Sequence, residues 1–161
     1  LAIHIVLGGT WLMSGASDLG VGEVTPDAAW RILEGDSSAR LIDVRTRAEW
    51  GFVGVPDIGK MGHSTIFVEW LGFPGMSANP QFVAEVMEAI GDESPTKLLF
   101  ICRSGVRSLR AANAIAEHLV DYGVAAECLN VAEVFEGDLD PEGHRSVSNG
   151  WKARGLAWHQ S

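Results

Sequence analysis

The residues best suited to chemistry in this 161-residue chain lie in one short segment, Cys102-Arg103-Ser104-Gly105-Val106-Arg107-Ser108. The segment follows the apolar run 97–101 and leads into the Ala-rich stretch 106–121, which predicts a strand, a loop and a helix. A cysteine at that strand end faces backbone N–H groups and the positive end of a helix dipole. Two guanidiniums, those of Arg103 and Arg107, add positive charge. Each effect favours the thiolate, which is the nucleophilic form of cysteine.

Cys102 by itself would be interpreted as a small core residue, because a cysteine at the end of a buried strand usually is one. The neighbouring arginines favour a nucleophile instead, and a glycine in the loop allows a tight turn without a Cβ clash. The same loop can bind an anionic substrate through guanidinium and amide donors. The predicted substrate-binding positions are the five that follow the nucleophile: Arg103, Ser104, Gly105, Val106 and Arg107.

The elements that must position this loop alternate between strand and helix, which predicts an α/β fold with a mostly parallel central sheet and helices on both faces. Predicted strands cover residues 40–44, 65–70, 97–101 and 126–130. Predicted helices begin at Thr25-Pro26 and Asn79-Pro80 and cover 106–121, with one helical turn at 46–50. Residues 53–60 are predicted as a loop, and the tail from 131 as irregular chain pinned by Trp151 and Trp158. Ligands of such sheets bind beyond the carboxyl ends of the strands, so the chemistry is expected after residue 44, 101 or 130.

Composition excludes several classes of function. The net charge of −9 argues against nucleic-acid binding, and there is no Lys/Arg cluster for an anionic membrane surface. The two cysteines, Cys102 and Cys128, form no CxxC motif and have no metal-ligand spacing with histidine, so neither a metal nor another cofactor is expected. Cys128 is predicted to be inert, with a resolving role as the alternative. Two cysteines make no disulfide framework, which favours a reducing, cytoplasmic location.

Residues 1–16 are apolar and carry no charged side chain. A stretch of about 16 residues is short for a membrane span. We expect residues 1–17 to be an N-terminal extension: a signal remnant, a vector-derived sequence or an additional packed strand. A signal remnant would imply a periplasmic location. Residues 18–161 are expected to form one domain.

The loop resembles the active-site loop of rhodaneses, whose pattern is Cys-Arg-x-Gly-x-Arg, and all four fixed positions match. Upstream, Asp43-Val44-Arg45 resembles the family's strand-end motif, and Ala48-Glu49-Trp50 lies where the family has an acidic–aromatic pair. Residues 53–70 and 135–158 resemble a subgroup of bacterial single-domain members. The resemblance covers roughly residues 20–161, and it implies the rhodanese-like fold.

The resemblance implies a sulfur relay. The Cys102 thiolate would attack the outer sulfur of thiosulfate or a similar small anionic donor, release sulfite and keep the sulfur as a persulfide for a thiol or cyanide acceptor. Arg103 and Arg107 would bind the donor, and the arginine-rich loop resembles the thiosulfate-using branch rather than the mercaptopyruvate branch. A second function stays open: a carrier module that hands its persulfide to a protein partner, with little turnover of small donors. The intact cysteine speaks against a third, non-catalytic regulatory role.

Two features separate this chain from related patterns. Cysteine phosphatases and arsenate reductases use Cys-x5-Arg, whereas Cys102 and Arg107 are separated by four residues, and the tighter loop suits a sulfur atom. The family commonly has Gly-His-Ile-Pro where this chain has Phe52-Val53-Gly54-Val55-Pro56. The missing histidine is mostly structural in the family, so its loss does not threaten the proposed chemistry.

The remaining predicted residues support the loop. Asp43 is expected to bond loop amides, and Arg45 either holds the rim of the site or forms a surface ion pair. Glu49 is expected to be structural. Trp70 and Phe135 either wall the substrate pocket or pack in the core, with core packing favoured.

Overall fold

A computed structural model describes residues 20–161, so the expectations for residues 1–17 lie outside the described chain. Within that range the strands are β1 Gly22–Val24, β2 Arg40–Asp43, β3 Val55–Pro56, β4 Ile66–Phe67, β5 Leu71–Gly72, β6 Ser77–Ala78, β7 Lys97–Ile101, β8 Glu127–Val131 and β9 Trp158–His159. The α-helices are α1 Pro26–Gly35, α2 Arg47–Val53, α3 Phe82–Ile90 and α4 Val106–Asp121, with a 3-10 turn at Gly59–Met61.

Five strands form the central sheet in the order β1-β8-β7-β2-β4, and all neighbours in it are parallel. In its middle, Ile42 lies opposite Phe100, and Asp43 opposite Ile101. Two short antiparallel pairs, β3 with β9 and β5 with β6, lie outside this sheet. The prediction of an α/β fold with a mostly parallel sheet is confirmed.

Strand β7 is apolar after Lys97, and β2 is apolar at Leu41 and Ile42, because the sheet is covered on both faces. Leu98, Leu99, Phe100 and Ile101 of β7 are all fully buried, as are Leu41 and Ile42 of β2. Burying one such side chain stabilises the fold by roughly 1.5–3 kcal/mol relative to leaving it in water. The sheet centre is therefore a rigid base for the loops that follow β2 and β7.

Right-handed crossovers place the helices on opposite faces. The chain moves in one direction across the sheet from β1 to β2 and from β2 to β4, and in the other from β4 to β7 and from β7 to β8. Helices α1 and α2 therefore cover one face, while α3 and α4 cover the other and contact each other. Among residues 20–161, no helix combines the length and apolar character that crossing a membrane would require.

Of the two helix starts predicted from an N-cap residue followed by proline, one is confirmed and the other is wrong. Thr25 accepts a hydrogen bond from the Ala28 amide and caps α1, as predicted. The start predicted at Asn79-Pro80 was wrong, because α3 begins at Phe82. The Asn79 side chain instead accepts from the Gln81 amide at 3.0 Å, and a polar turn precedes the helix.

Three other segments also differ from expectation. The turn predicted at 46–50 is the first part of a helix that continues to Val53. The predicted loop 53–60 contains a strand that pairs with the tail, and the predicted strand 65–70 is reduced to Ile66–Phe67. That strand shortens because β2, the strand it pairs with, ends at Asp43.

The irregular tail is held on the domain by an indole. Trp151 is fully buried, packs on Trp30 with 5.8 Å between ring centroids, and donates from Nε1 to the Ala157 carbonyl at 2.9 Å. Trp158 is 39% exposed and lies on the Lys152 ammonium. The two tryptophans predicted to pin the tail therefore differ in how much apolar surface they bury.

We expect Trp151→Ala to lower the free energy of unfolding by about 3–5 kcal/mol, because it removes a large, fully buried side chain. Trp158→Ala is the matched control and should lower it by less than about 1.5 kcal/mol. Urea denaturation followed by circular dichroism measures both. Equal losses in the two variants would contradict the assignment of Trp151 as the main anchor.

Candidate active site

The sulfur of Cys102 lies at the start of α4, directly after β7. The Gly105 amide donates to Sγ at 3.0 Å, and the Ser108 hydroxyl oxygen lies 3.1 Å from it. Gly105 is the N-cap of α4 and has φ of 104°, a left-handed conformation that a residue with a Cβ rarely adopts. The sulfur therefore faces the positive end of a 16-residue helix.

Ser108 is a residue of this site that the sequence did not single out. It is fully buried, and its hydroxyl donates to Asn130 Oδ1 of β8 at 2.7 Å. The Gly105 carbonyl oxygen lies 3.2 Å from the same hydroxyl. A hydroxyl carries one proton, so Ser108 donates to one of three acceptors: Asn130, the Gly105 carbonyl oxygen or the sulfur. Ser108 lies three residues after Gly105, on the first turn of α4. This spacing was the sequence signal that could have predicted its proximity to the sulfur.

Arg107 forms a bidentate ion pair with Glu49 of α2. Its two terminal nitrogens lie 2.7 and 2.6 Å from the two carboxylate oxygens. Glu49 also accepts from the Thr46 amide at 2.9 Å and so completes the capping box of α2. The prediction for Glu49 was a structural role only. Its carboxylate also pairs with Arg107, the arginine that was expected to bind the sulfur donor.

The Glu49–Arg107 pair persists at ordinary pH. Burial by itself would raise the pKa of Glu49, but the hydrogen bonds from Arg107 and Thr46 outweigh burial and lower it to about 2 from its usual 4.5. A depressed carboxyl pKa stabilises the fold above the unfolded value, and that contribution is lost as the pH falls from about 4.5 towards 2. The Arg107 pKa is raised by the same partner.

Arg103 differs from Arg107 in its environment. Its side chain is exposed, and it makes no ion pair with any residue in the range 20–161. Of the two guanidiniums in the loop, one is therefore committed to a carboxylate and one is available. An anionic sulfur donor would therefore meet less positive charge at this loop than the two arginines in its sequence indicate.

Asp43 and Arg45 form a buried ion pair below the loop. Both side chains are fully buried, with Arg45 Nη2 at 2.6 Å from Asp43 Oδ2 and at 2.8 Å from the Gly54 carbonyl oxygen. The Arg45 guanidinium also lies 4.1 Å from the ring centroid of Phe135. The alternative of a surface ion pair was wrong for Arg45. Asp43 bonds the Arg45 amide as well as its side chain.

Of the two aromatic residues weighed as pocket walls, Phe135 is a core residue and Trp70 is half-buried and packs against the core. Phe135 is fully buried, and its amide donates to the Cys102 carbonyl oxygen at 2.9 Å. Trp70 packs edge-on against Phe82, with 4.9 Å between ring centroids. Phe135 still affects the site, because it ties the chain after β8 to the residue that carries the sulfur.

Cys128 lies far from the site. It pairs in register with Leu98, four residues before Cys102 along β7, which corresponds to about 13 Å. A disulfide needs Cα atoms within about 7 Å, so the two cysteines cannot bond without unfolding the strand. Burial raises the pKa of the Cys128 thiol to about 11, which supports the expectation that it is inert.

The loop lies at the point in the sheet where the connections between strands run in opposite directions. The chain leaves β2 towards β4 and leaves β7 towards β8, so α2 and α4 diverge from neighbouring strands onto opposite faces. Such a divergence opens a crevice at the carboxyl ends of the strands, where α/β proteins bind ligands. The Glu49–Arg107 pair crosses this crevice from α2 to α4.

A cavity of about 550 Å³ adjoins the loop on the side of α2. Its apolar walls come from α2 and from the turn between β5 and β6. The lining residues are Thr46, Ala48, Glu49, Phe52, Val53, Phe73, Met76, Arg103 and Arg107. The cavity is large enough for a small organic molecule.

Comparison with known proteins places the chain among close relatives. It is 31% identical over 140 residues to an uncharacterized protein, RC0915, of Rickettsia conorii, covering 87% of this chain and 98% of that protein. It is 42% identical to Rv0390 of M. tuberculosis, whose crystal structure matches with a TM-score of 0.74 over 88% of this chain and 98% of that one. No family model matches the sequence.

A more distant likeness concerns the fold alone. The polysulfide-sulfur transferase homodimer of Wolinella succinogenes matches with a TM-score of 0.54 at 15% identity, over 88% of this chain and 80% of that one. The five-stranded parallel sheet and its helices agree with the rhodanese-like fold of these matching structures. The chain belongs to the family of Rv0390 and the rickettsial protein RC0915, and its fold is rhodanese-like.

Proposed function

We propose that this protein is a sulfurtransferase that carries sulfane sulfur as a persulfide on Cys102. The observation that supports this most strongly is the environment of Sγ. The sulfur lies at the N-terminus of α4 and accepts a hydrogen bond from the Gly105 amide at 3.0 Å. Donors aimed at sulfur stabilise a thiolate, and they stabilise a terminal persulfide anion for the same reason. A fully buried structural cysteine would need no such donors.

The reaction has two halves. The Cys102 thiolate attacks the outer sulfur of thiosulfate or a similar donor, a new S–S bond forms, and the old bond breaks with its electron pair leaving on sulfite. An acceptor thiolate or cyanide then attacks the outer sulfur and regenerates the Cys102 thiolate. Neither half consumes an oxidant or a reductant, and no cofactor is needed.

Loop residues have distinct proposed roles. Arg103 supplies the available positive charge for an anionic donor, while the backbone of Ser104, Gly105 and Val106 forms the ring around the outer sulfur. That Arg107 binds the donor stays a prediction, and its pairing with Glu49 at 2.6 Å competes with it. The spacing of four residues between cysteine and arginine gives a loop suited to a sulfur atom rather than to a phosphoryl group.

Burial of the sulfur supports the alternative function of a persulfide carrier. Cys102 is fully buried, which limits the access of thiols in solution to its sulfur. A carrier releases its sulfur only to a protein partner that reaches the loop. Turnover separates the two: fast steady-state thiocyanate formation from thiosulfate and cyanide supports the enzyme. Charging of Cys102 with little turnover supports the carrier.

We expect intact-mass measurement after incubation with thiosulfate to show one added sulfur, about 32 Da, and peptide mapping to place it on Cys102. The buried thiol of Cys128, about 13 Å along the sheet, should stay unmodified. Sulfur found on Cys128 would reassign the nucleophile.

Replacing Cys102 by Ala should abolish sulfur transfer and keep the circular dichroism spectrum, because the removed sulfur is the nucleophile. Cys128→Ala is the matched control, since it also removes one buried thiol, and it should retain activity. Thiocyanate production measures both variants. Full activity in Cys102→Ala would exclude the mechanism.

Ser108→Ala should slow charging of Cys102 by thiosulfate by about tenfold, because a hydrogen bond to a charged group contributes roughly 1.5–3 kcal/mol. Asn113→Ala is the control, since it removes a polar side chain one turn further along α4 that bonds only the Leu109 carbonyl. Single-turnover mass spectrometry gives the rates. Equal rates in the two variants would show that the hydroxyl does not act on the sulfur.

A further inference from the structure

Three acceptors surround the single proton of the buried Ser108 hydroxyl. Its Oγ lies 2.7 Å from Asn130 Oδ1, 3.1 Å from Cys102 Sγ and 3.2 Å from the Gly105 carbonyl oxygen. Asn130 Oδ1 is the nearest of the three, and an amide oxygen is a stronger acceptor than a neutral sulfur. In this arrangement the hydroxyl proton therefore belongs to Asn130 and not to the sulfur.

The Cys102 sulfur completes this chain of hydrogen bonds only while it is a thiol. The thiol donates its proton to Ser108 Oγ, and the hydroxyl donates to Asn130 Oδ1, so each polar atom in the chain has a partner. A thiolate has no proton to donate, and the hydroxyl then lies between two acceptors with one proton for both. The hydrogen bond to Asn130 therefore opposes ionisation of the sulfur.

Bulk water does not relieve this competition, because the three side chains are buried. Cys102 and Ser108 are fully buried, and Asn130 is 4% exposed. Asn130 lies opposite Phe100 in the sheet, and Ser108 is on the first turn of α4, which packs beside β8. Within residues 20–161, the bond to Ser108 is the only hydrogen bond that the Asn130 side chain makes. In a dry interior, the loss of one such bond has its full effect on the remaining partners.

We propose that Asn130 is a positioning residue that withholds the Ser108 proton from Cys102 and so favours the protonated sulfur in the resting protein. This inference rests on the proposed sulfurtransferase function and specifies how the reactivity of its nucleophile is set. Asn130 acts through the hydroxyl and not on the reacting atoms. The same hydroxyl stabilises the thiolate only after it has left Asn130.

Ionisation of the sulfur then includes one rotation of the hydroxyl. The thiol proton of Cys102 passes to water, and the Ser108 O–H turns from Asn130 to Sγ. A hydrogen bond to an ion is about twice as strong as one between neutral groups, so this turn is favourable once the thiolate exists. In the persulfide Sγ carries no charge, and the proton returns to Asn130. No oxidant or reductant takes part in these steps.

Charged side chains also affect the sulfur, and they come from α2, α4, the end of β2 and the loop itself. These residues are Glu49, Arg107, Asp43, Arg45 and Arg103. All of them keep their charge when Asn130 is replaced by a neutral residue. A change in the pH dependence of Cys102 reactivity in such a variant is therefore assigned to the hydrogen-bond chain.

The test measures the rate at which iodoacetamide alkylates Cys102 in the full chain as a function of pH, by mass spectrometry and peptide mapping. The thiolate is the form that reacts, so the midpoint of the profile reports ionisation of the sulfur without any sulfur donor. Asn130→Leu keeps a side chain of similar size and removes the acceptor. It should move the midpoint to lower pH by about 0.4–1 pH unit, the range that one neutral hydrogen bond provides. A midpoint that is unchanged or moves to higher pH would overturn the proposal.

Ser108→Ala should move the same midpoint in the opposite direction, to higher pH by about one unit, because the thiolate loses a donor. The double variant should have the midpoint of Ser108→Ala alone, since no hydroxyl proton remains for Asn130 to withhold. A merely structural role of Asn130 would move both single variants in the same direction. If Asn130→Leu still lowers the midpoint in the Ser108→Ala background, the effect does not pass through the hydroxyl and the proposal is wrong.

Asn113→Leu is the matched control, because it makes the same substitution outside the hydrogen-bond chain. Asn113 lies five residues after Ser108, about 7.5 Å further along α4, and donates to the Leu109 carbonyl. This variant should leave the midpoint unchanged, and a shift equal to that of Asn130→Leu would contradict the role of Asn130. Circular dichroism checks folding. Asn130→Val, which suits a strand, has the same expected effect and repeats the test if the leucine variant does not fold.

Charging of Cys102 by thiosulfate, measured on the same variants, separates failure of this inference from failure of the proposed function. If the midpoints move as expected and sulfur is added to Cys102, both are supported. If the midpoints move as expected but no sulfur is added, Asn130 controls the thiol and the proposed function is wrong. If sulfur is added with one pH dependence in all variants, the function is supported and the role of Asn130 is wrong.

Discussion

One buried guanidinium holds together the loops on which the site is built. Arg45 pairs with Asp43 at the end of β2, donates to the Gly54 carbonyl after α2, and covers the ring of Phe135 after β8. The Phe135 amide in turn bonds the Cys102 carbonyl. Removing one partner of a fully buried pair costs about 3–5 kcal/mol, because the other charge is left uncompensated. The loops after three neighbouring strands are therefore fixed relative to one another, and the sulfur is fixed with them.

Above this buried pair, the crevice exists because the chain leaves β2 and β7 in opposite directions. The same divergence brings α2 and α4 to the two sides of the site, where Glu49 and Arg107 meet. An ion pair at this position closes part of the crevice and withdraws one positive charge from it. The remaining opening is lined by apolar side chains on the α2 side. The topology of the sheet therefore determines both the local charge of the crevice and the shape of the cavity.

Sequence alone determined the local elements on which the proposed chemistry rests. The buried strand 97–101, the helix 106–121 and the loop between them were predicted with their observed bounds, because continuous apolar and Ala-rich runs give strong local signals. The residues of the proposed site, from Cys102 to Arg107, lie between these two elements or at the start of the second. Parallel pairing also followed, since alternating strands and helices allow little else.

Only the tertiary structure decided which charges are free. Arg103 and Arg107 look equivalent in sequence, but Glu49, 58 residues before Arg107, neutralises the second and not the first. Ser108 and its partner Asn130 are 22 residues apart and join the site only when α4 packs beside β8. The pairing of β3 with the tail likewise needs contacts between distant segments. Local patterns carry the propensity of a segment, whereas ion pairing, burial and strand edges depend on partners that only folding brings together.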